Sequence, residues 1–254
     1  MNTRKPLIIG HRGASHDAPE NTLASFRLAF EQGADGIEAD FRLTRDQQIV
    51  CMHDATTART AGIVFSVEQS TLHELSLLDV GSWFGSRWTG EKIPTLAEVL
   101  AIVPSGKMIF IEVKCGAEII PHLKEILNRS KIQTEMVRLL TFDTELAGEL
   151  AKMIPGVGVC LNVEYVRGSS EEPWMPSRDQ ILEMIACSGA AGLSSEAHDT
   201  VDELFADALR RSGRELFIWT LDSIDAVKRF KRLGVDAVMT NRPGLLKAGM
   251  FSSP

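Results

Sequence analysis

Eight times along this 254-residue chain, a short apolar run of strand length is followed by an amphipathic stretch of helical length. The strand-like runs fall at 7–11, 36–43, 108–114, 137–142, 158–161, 191–194, 216–220 and 237–240. Helical patterns follow at about 22–32, 95–103, 117–129, 144–153, 178–188, 199–212, 223–233 and 243–248. Local punctuation agrees with these bounds. Thr95-Leu96-Ala97-Glu98 has the spacing of a capping box. Gly33, Gly213 and Gly234 each stand just past a helical segment, where C-terminal caps belong. Eight strand-then-helix units predict an α/β protein of the (β/α)₈ TIM-barrel class. A doubly wound open sheet usually holds fewer units, and no Gly-x-Gly-x-x-Gly follows the first run. One domain over 1–254 is expected.

Two stretches break the rhythm. Ile49-Val50-Cys51-Met52-His53 is a ninth strand-like run, separated from 36–43 by the polar turn Thr44-Arg45-Asp46-Gln47-Gln48. It predicts an antiparallel hairpin, with Leu43 near Val50 and Asp40 near His53. Residues of about 54–92 then form an insertion too long and too apolar for a bare loop. It is expected to be a small folded cap whose own core takes Phe65, Trp83, Phe84 and Trp88. A second long connection, 162–177, carries Tyr165, Arg167 and Trp174. Both would emerge on the barrel face that holds active sites.

The strands also carry charge where apolar side chains are expected. In Gly36-Ile37-Glu38-Ala39-Asp40 and Ile111-Glu112-Val113-Lys114, the charged residues alternate, so within each strand they share one face. Three carboxylates buried near one another are costly unless a cation neutralises them. An oxygen-loving divalent ion, Mg²⁺ or Ca²⁺, is the simplest remedy. His11 and Arg12 end the first run and Trp219 ends the seventh, so on a parallel barrel all these groups meet at one rim. Two histidines with ordinary pKa values of about 6.5, His11 and His53, suit acid and base work near neutrality. A guanidinium at Arg12 suits a phosphate oxygen. Simpler readings exist for each residue. Glu112 and Lys114 could be a structural ion pair, Trp219 could be core, and Glu38 and Asp40 could lie on a solvated face, though Gly36, Ile37 and Ala39 argue for tight packing. His73 and His122 are expected to be structural or on the surface, His198 precedes a helix and is expected to cap it or face solvent, and His16 could line the site.

Composition limits the partners. The chain is 44% hydrophobic and 24% charged with a net charge of −7, which argues against nucleic acid. No apolar run approaches a membrane span. Arg4 and Lys5 precede an apolar run far too short for a signal-peptide core, so a cytoplasmic location is expected. The four cysteines form no Cys-x-x-Cys and are expected to be free thiols.

Together the chain resembles the glycerophosphodiester phosphodiesterase family over essentially its whole length. The resemblance rests on His11-Arg12-Gly13, Pro19-Glu20-Asn21-Thr22, Gly36-Ile37-Glu38-Ala39-Asp40, His53-Asp54, Ile111-Glu112-Val113-Lys114, Trp219-Thr220 and Thr240-Asn241-Arg242-Pro243. It implies a (β/α)₈ barrel with an insertion after the His-Asp pair, and hydrolysis of glycerophosphodiesters to sn-glycerol 3-phosphate and an alcohol such as choline or ethanolamine. His11 and His53 would then be the acid/base pair. Glu38, Asp40 and Glu112 would hold one divalent cation, Arg12 and Lys114 the phosphate, and Trp219 would line the glycerol side. Either histidine could act as base, and the nucleophile could be water or the glycerol 2-hydroxyl. The chain departs from many relatives at Asn241, where Asp is usual, and at Asp222, where Asn is common. Neither is expected to touch the chemistry. The nearest competing activity is a lysophospholipase D-like cleavage of lysophospholipids, which needs an exposed apolar groove. A non-catalytic phosphodiester-binding barrel would not need two histidines, and an unrelated metal-dependent barrel lyase would explain neither His53 nor the insertion.

Overall fold

The computed structural model describes residues 5–251. The strands, in chain order, are β1 (Leu7–His11), β2 (Gly36–Leu43), β3 (Ile49–Cys51), β4 (Met108–Val113), β5 (Val137–Thr141), β6 (Gly158–Val163), β7 (Gly192–Glu196), β8 (Glu215–Trp219) and β9 (Ala237–Thr240). All but β3 pair parallel with their neighbours, and β1 pairs with both β9 and β2, which closes an eight-stranded (β/α)₈ barrel as the rhythm predicts. The helices are α1 (Leu23–Glu31), α2 (Ala58–Ala61), α3 (Leu72–Ser76), α4 (Leu96–Ile102), α5 (Ile120–Arg129), α6 (Thr144–Met153), α7 (Arg178–Ser188), α8 (Glu203–Arg211), α9 (Ile224–Leu233) and α10 (Pro243–Phe251). The Thr95–Glu98 capping box starts α4, and Gly234 caps α9 in the left-handed conformation. Several bounds differ from expectation by one to four residues, and two of these have a clear cause. Strand β6 extends to Val163 because Asn162 and Val163 pair with Ser194 and Ser195 of β7. Helix α8 starts late, at Glu203, because the Asp202 side chain accepts from Phe205 N and fixes the helix start there.

The predicted hairpin forms with its register moved by one residue. Arg42 pairs with Val50 and Leu43 with Ile49, while Met52 N donates to the Asp40 carbonyl at 2.9 Å. The turn sets this register: Thr44 N donates to Gln48 O, and Gln47 adopts a φ of 61°.

Period-two alternation sorts the barrel interior into three layers. At the N-terminal end, Arg138 of β5 reaches across to Glu215 of β8 with two hydrogen bonds, of 2.6 and 2.8 Å. Gly158 and Gly192 clear the space, because a Cβ at Gly158 would sit 2.9 Å from Arg138 Cδ and one at Gly192 2.6 Å from Glu215 O. The middle layer is apolar: Ile9, Phe110, Leu140, Cys160, Phe217, Ala237 and Met239, with Phe110 and Phe217 edge to face at 4.9 Å. The third layer, at the C-terminal end, is polar and forms the candidate site. Outward-facing residues such as Phe41, Ile109, Leu139, Leu161 and Leu193 meet the helices in the larger core. Breaking the ion-pair plug strands one charge among apolar neighbours. Arg138→Ala is expected to cost about 3 kcal/mol in urea unfolding, the low end for a buried pair because Glu215 is partly exposed. Adding Glu215→Ala should cost less than the sum of the two single changes.

The insertion carries α2 and α3 and packs Val67, Leu75, Leu78, Val80 and Ile93 under Val50 and Met52 of the hairpin arm. Phe65 joins this cluster. Trp83, Phe84 and Trp88 do not, contrary to expectation. Trp83 is 44% exposed and meets Phe84 edge on, and Trp88 lies under the Arg87 guanidinium. The cause is the Asp79 carboxylate, which accepts from the backbone N–H groups of Gly81, Ser82 and Gly90 and ties this loop off from the cluster. On the second long connection, Tyr165 stacks on His198 at 4.4 Å and Trp174 meets the same ring edge on. His198 is therefore part of an aromatic cluster rather than a solvated cap.

Candidate active site

The third barrel layer gathers the expected groups. Glu38 and Asp40 of β2 and Glu112 of β4 point inward from neighbouring strands, since Asp40 pairs in register with Glu112. One oxygen from each lies within 4.8 Å of the others, and Glu38 and Asp40 are each only 1% exposed. Burial, together with the charges of Asp40 and Glu112, pushes the Glu38 carboxyl well above its usual range. Burial and Asp40 push Glu112 up in the same way, against the opposing charge of Lys114. Asp40 responds oppositely. Burial disfavours its charge, but Arg12, Lys114 and His53 together with a hydrogen bond from Asn21 hold it below the usual range. Glu38 Oε2 accepts from Arg12 N at 3.0 Å, whereas its buried Oε1 has no partner. An unpartnered carboxylate oxygen inside an all-oxygen acidic triad fits a divalent cation of the Mg²⁺ or Ca²⁺ kind.

Cationic side chains flank the triad. Lys114 Nζ lies 2.7 Å from Glu112 and 3.7 Å from Asp40. Arg12 NH1 donates to Glu20 at 3.0 Å. Its buried Nε approaches Asp40 to 3.2 Å without forming an aligned hydrogen bond. Arg12 has a φ of 54° and Asn21 of 58°, both left-handed. The strained turn at Arg12 aims its backbone N–H at Glu38 and its guanidinium at Asp40 and Glu20.

The two histidines stand beside the triad, each with Nδ1 engaged. His11 Nε2 is 3.9 Å from Glu38 Oε2, and its Nδ1 is 2.8 Å from Asn241 Oδ1. Burial and the adjacent Arg12 charge lower the His11 imidazole from its ordinary value, against the hydrogen bond to Asn241. His53 Nδ1 is 2.7 Å from Asp54 Oδ1. Asp54 also accepts from Arg59 Nε, and Arg59 makes two 2.8 Å hydrogen bonds to Glu20. Arg59, assisted by the His53 contact, holds Asp54 down to about 2. A chain of charge thus runs from Arg12 through Glu20, Arg59 and Asp54 to His53, tying the insertion to the first strand–helix loop. Arg42 adds a second tie, donating to the carbonyls of His53 and Lys114.

Trp219, Leu140 and Phe142 form an apolar wall, with Trp219 and Phe142 edge to face at 6.0 Å. Asn162 Oδ1, Ser194 Oγ and Trp219 Nε1 line the same cavity, buried and without a hydrogen-bond partner. His16 lies outside it, in an adjoining cleft with Ser15, Asp222 and Arg242.

All eight residues singled out in the sequence therefore line or adjoin one site. Asn241 and Asp222, expected to stay clear of the proposed chemistry, instead adjoin His11. Asn241 contacts His11, and Asp222 accepts from Asn241 Nδ2 at 2.7 Å, because β9 and β1 are neighbours in the closed barrel. Sequence reasoning placed Glu20 and Asn21 in a matched segment without giving them a role, and missed Arg42, Arg59, Asn162 and Ser194. For Asn162 and Ser194 a signal was present: each follows an inward small residue, Cys160 or Gly192, at a spacing of two on its strand.

The sequence profile of the Glycerophosphoryl diester phosphodiesterase family matches residues 11–245. A glycerophosphodiester phosphodiesterase of Caldanaerobacter subterraneus subsp. tengcongensis is 35% identical, over 95% of this chain and 96% of the relative. A putative glycerophosphodiester phosphodiesterase of Bacillus subtilis is 32% identical, over 94% and 96%. Among solved structures, an Oleispira antarctica phosphodiesterase in complex with the product sn-glycerol-3-phosphate superimposes with a TM-score of 0.85 at 28% identity, over 98% of both chains. From the matched profile and the length of these alignments, the chain belongs to the glycerophosphoryl diester phosphodiesterase family.

Proposed function

We propose that this protein hydrolyses glycerophosphodiesters to sn-glycerol 3-phosphate and an alcohol, using one divalent cation, Mg²⁺ or Ca²⁺, held by Glu38, Asp40 and Glu112. The carrying observation is the buried triad with its unpartnered Glu38 oxygen, set beside two imidazoles and two cationic side chains. A cation bound there would offset charge on a phosphate oxygen as the transition state forms. Arg12 and Lys114 supply fixed positive charge beside the same group. His11 and His53 divide the proton work, one deprotonating the nucleophile and the other protonating the leaving alkoxide.

The substrate class follows from what surrounds these groups. A diol offers hydroxyl groups to Asn162 Oδ1, Ser194 Oγ and Trp219 Nε1, which otherwise remain buried and unpaired. These atoms line one narrow cavity of about 60 Å³ together with Glu38 and Glu112 of the triad, and its unpaired polar atoms support a bare glycerol there. On the other side of His11 and Arg12, a polar cleft of about 450 Å³ gives room for a leaving alcohol. Residues 1–254 are read as one phosphodiesterase domain, with the insertion at about 54–92 as a cap that holds His53 through Arg59. The reading places the protein in the cytoplasm, acting on water-soluble diesters without nucleic acid. Among the described residues, no helix is long and apolar enough to cross a membrane.

Matched assays on glycerophosphocholine and lysophosphatidylcholine test the reading. Glycerophosphocholine should release glycerol 3-phosphate, and lysophosphatidylcholine should be cleaved far more slowly. The reverse preference would move the assignment to the lysophospholipid activity.

A further inference from the structure

Asp222 and Asn241 touch each other, and Asn241 touches His11. Asn241 Oδ1 sits 2.8 Å from His11 Nδ1 and accepts from Ser15 Oγ at 2.8 Å. Asn241 Nδ2 donates to Asp222 Oδ2 at 2.7 Å. The other oxygen of Asp222 accepts from Asn241 N at 2.8 Å and from Thr240 Oγ1 at 2.9 Å. An ionised carboxylate only accepts, so Asp222 must face the NH₂ end of the Asn241 amide. The amide oxygen then faces His11, and an amide oxygen also only accepts. The hydrogen in the His11–Asn241 contact therefore belongs to His11 Nδ1, which leaves Nε2 to face Glu38 and the reacting groups.

We infer that Asp222 and Asn241 are positioning residues that lock His11 in its Nδ1-protonated tautomer, with the negative charge one residue removed from the ring. This inference rests on the role proposed for His11. It makes a demanding prediction about exchanging the two side chains. In the double variant Asn241→Asp/Asp222→Asn, the carboxylate introduced at 241 can accept from His11 and Ser15. The amide introduced at 222 can donate to it while its oxygen accepts from the 241 N–H and from Thr240. Every hydrogen bond is kept. Asn241→Asp alone sets two carboxylates against each other where the structure has a 2.7 Å hydrogen bond. In Asp222→Asn alone the 241 N–H and Thr240 still hold the oxygen of the new amide, so its NH₂ faces Asn241 and turns that amide round, presenting NH₂ instead of oxygen to His11 Nδ1.

The test measures kcat and KM for glycerophosphocholine in the wild type, both single variants and the double variant. Nitrogen-15 spectra of the metal-free proteins at mildly alkaline pH accompany it, with the His11 signals identified by their loss in His11→Gln. Each single variant should lose roughly 10- to 100-fold in kcat with KM little changed, and the double variant should regain most of that loss. The spectra should show His11 protonated on Nδ1 in the wild type and the double variant, and a shift toward protonation on Nε2 in Asp222→Asn. Losses that multiply in the double variant, or a wild-type His11 protonated on Nε2, would overturn the inference. The spectra separate it from the functional reading. A protein that leaves glycerophosphocholine untouched yet shows the locked tautomer keeps this inference and loses the phosphodiesterase role.

Discussion

His11→Ala should lower kcat for glycerophosphocholine by about 10³-fold, within the range expected when a positioned acid or base is removed. The argument is geometric. His11 Nε2 faces Glu38 at the mouth of the acidic triad while Nδ1 is held by Asn241, so the ring has one free nitrogen, aimed where the phosphate would sit. Alanine removes that nitrogen and leaves the carboxylates, Arg12 and Lys114 in place. KM should therefore change far less than kcat. His53→Ala should show a comparable loss, and the double variant should be little worse than either single change, because the two protons move in one reaction. Loss of only a few-fold in His11→Ala, measured under saturating substrate, would remove the ring from the proton transfer.

Glu38→Gln should abolish turnover and invert a stability ranking. In the metal-free protein, burial and the charges of Asp40 and Glu112 raise the Glu38 carboxyl well above the ordinary glutamate value of 4.5. The folded chain therefore keeps a proton that the unfolded chain gives up near 4.5. The stabilisation from that proton is complete at lower pH and is lost as pH rises through the raised folded value. A glutamine never ionises and avoids this loss. In EDTA the variant should gain stability relative to the wild type as pH rises. With a divalent ion present the order should reverse, since binding at 100 times Kd stabilises the wild type by about 2.7 kcal/mol. Thermal unfolding followed by circular dichroism, with EDTA and then with Mg²⁺ or Ca²⁺, reads both halves. A wild type that melts at the same temperature with and without metal would contradict the assignment of the triad as a metal site.

The sequence made the barrel legible because each strand is short, apolar and followed by a helix, so local period and length sufficed. The acidic triad was legible for the same reason: alternation within one strand fixes a shared face without any knowledge of the fold. What escaped was set by closure and register. Asn241 reaches His11 only because the last strand pairs with the first across 230 residues of chain. Arg59 reaches Glu20 only because the insertion folds back over the first loop. The hairpin slipped by one residue because turn geometry, through Gln47 and the Thr44–Gln48 hydrogen bond, sets the register and residue pattern alone does not. The aromatic residues of the insertion misled because hydrophobicity does not distinguish a ring in a core from one on a loop that Asp79 has tied off.

The most direct test of the central claim is metal reconstitution followed by turnover. Wild-type protein stripped with EDTA is titrated with Mg²⁺ and separately with Ca²⁺, and bound metal and glycerol 3-phosphate release from glycerophosphocholine are measured on the same samples. The account predicts no release from stripped protein, and release that rises in step with metal bound at one site per chain and is absent in Glu38→Gln. Full release from stripped protein, or release from Glu38→Gln at the wild-type rate, would contradict it.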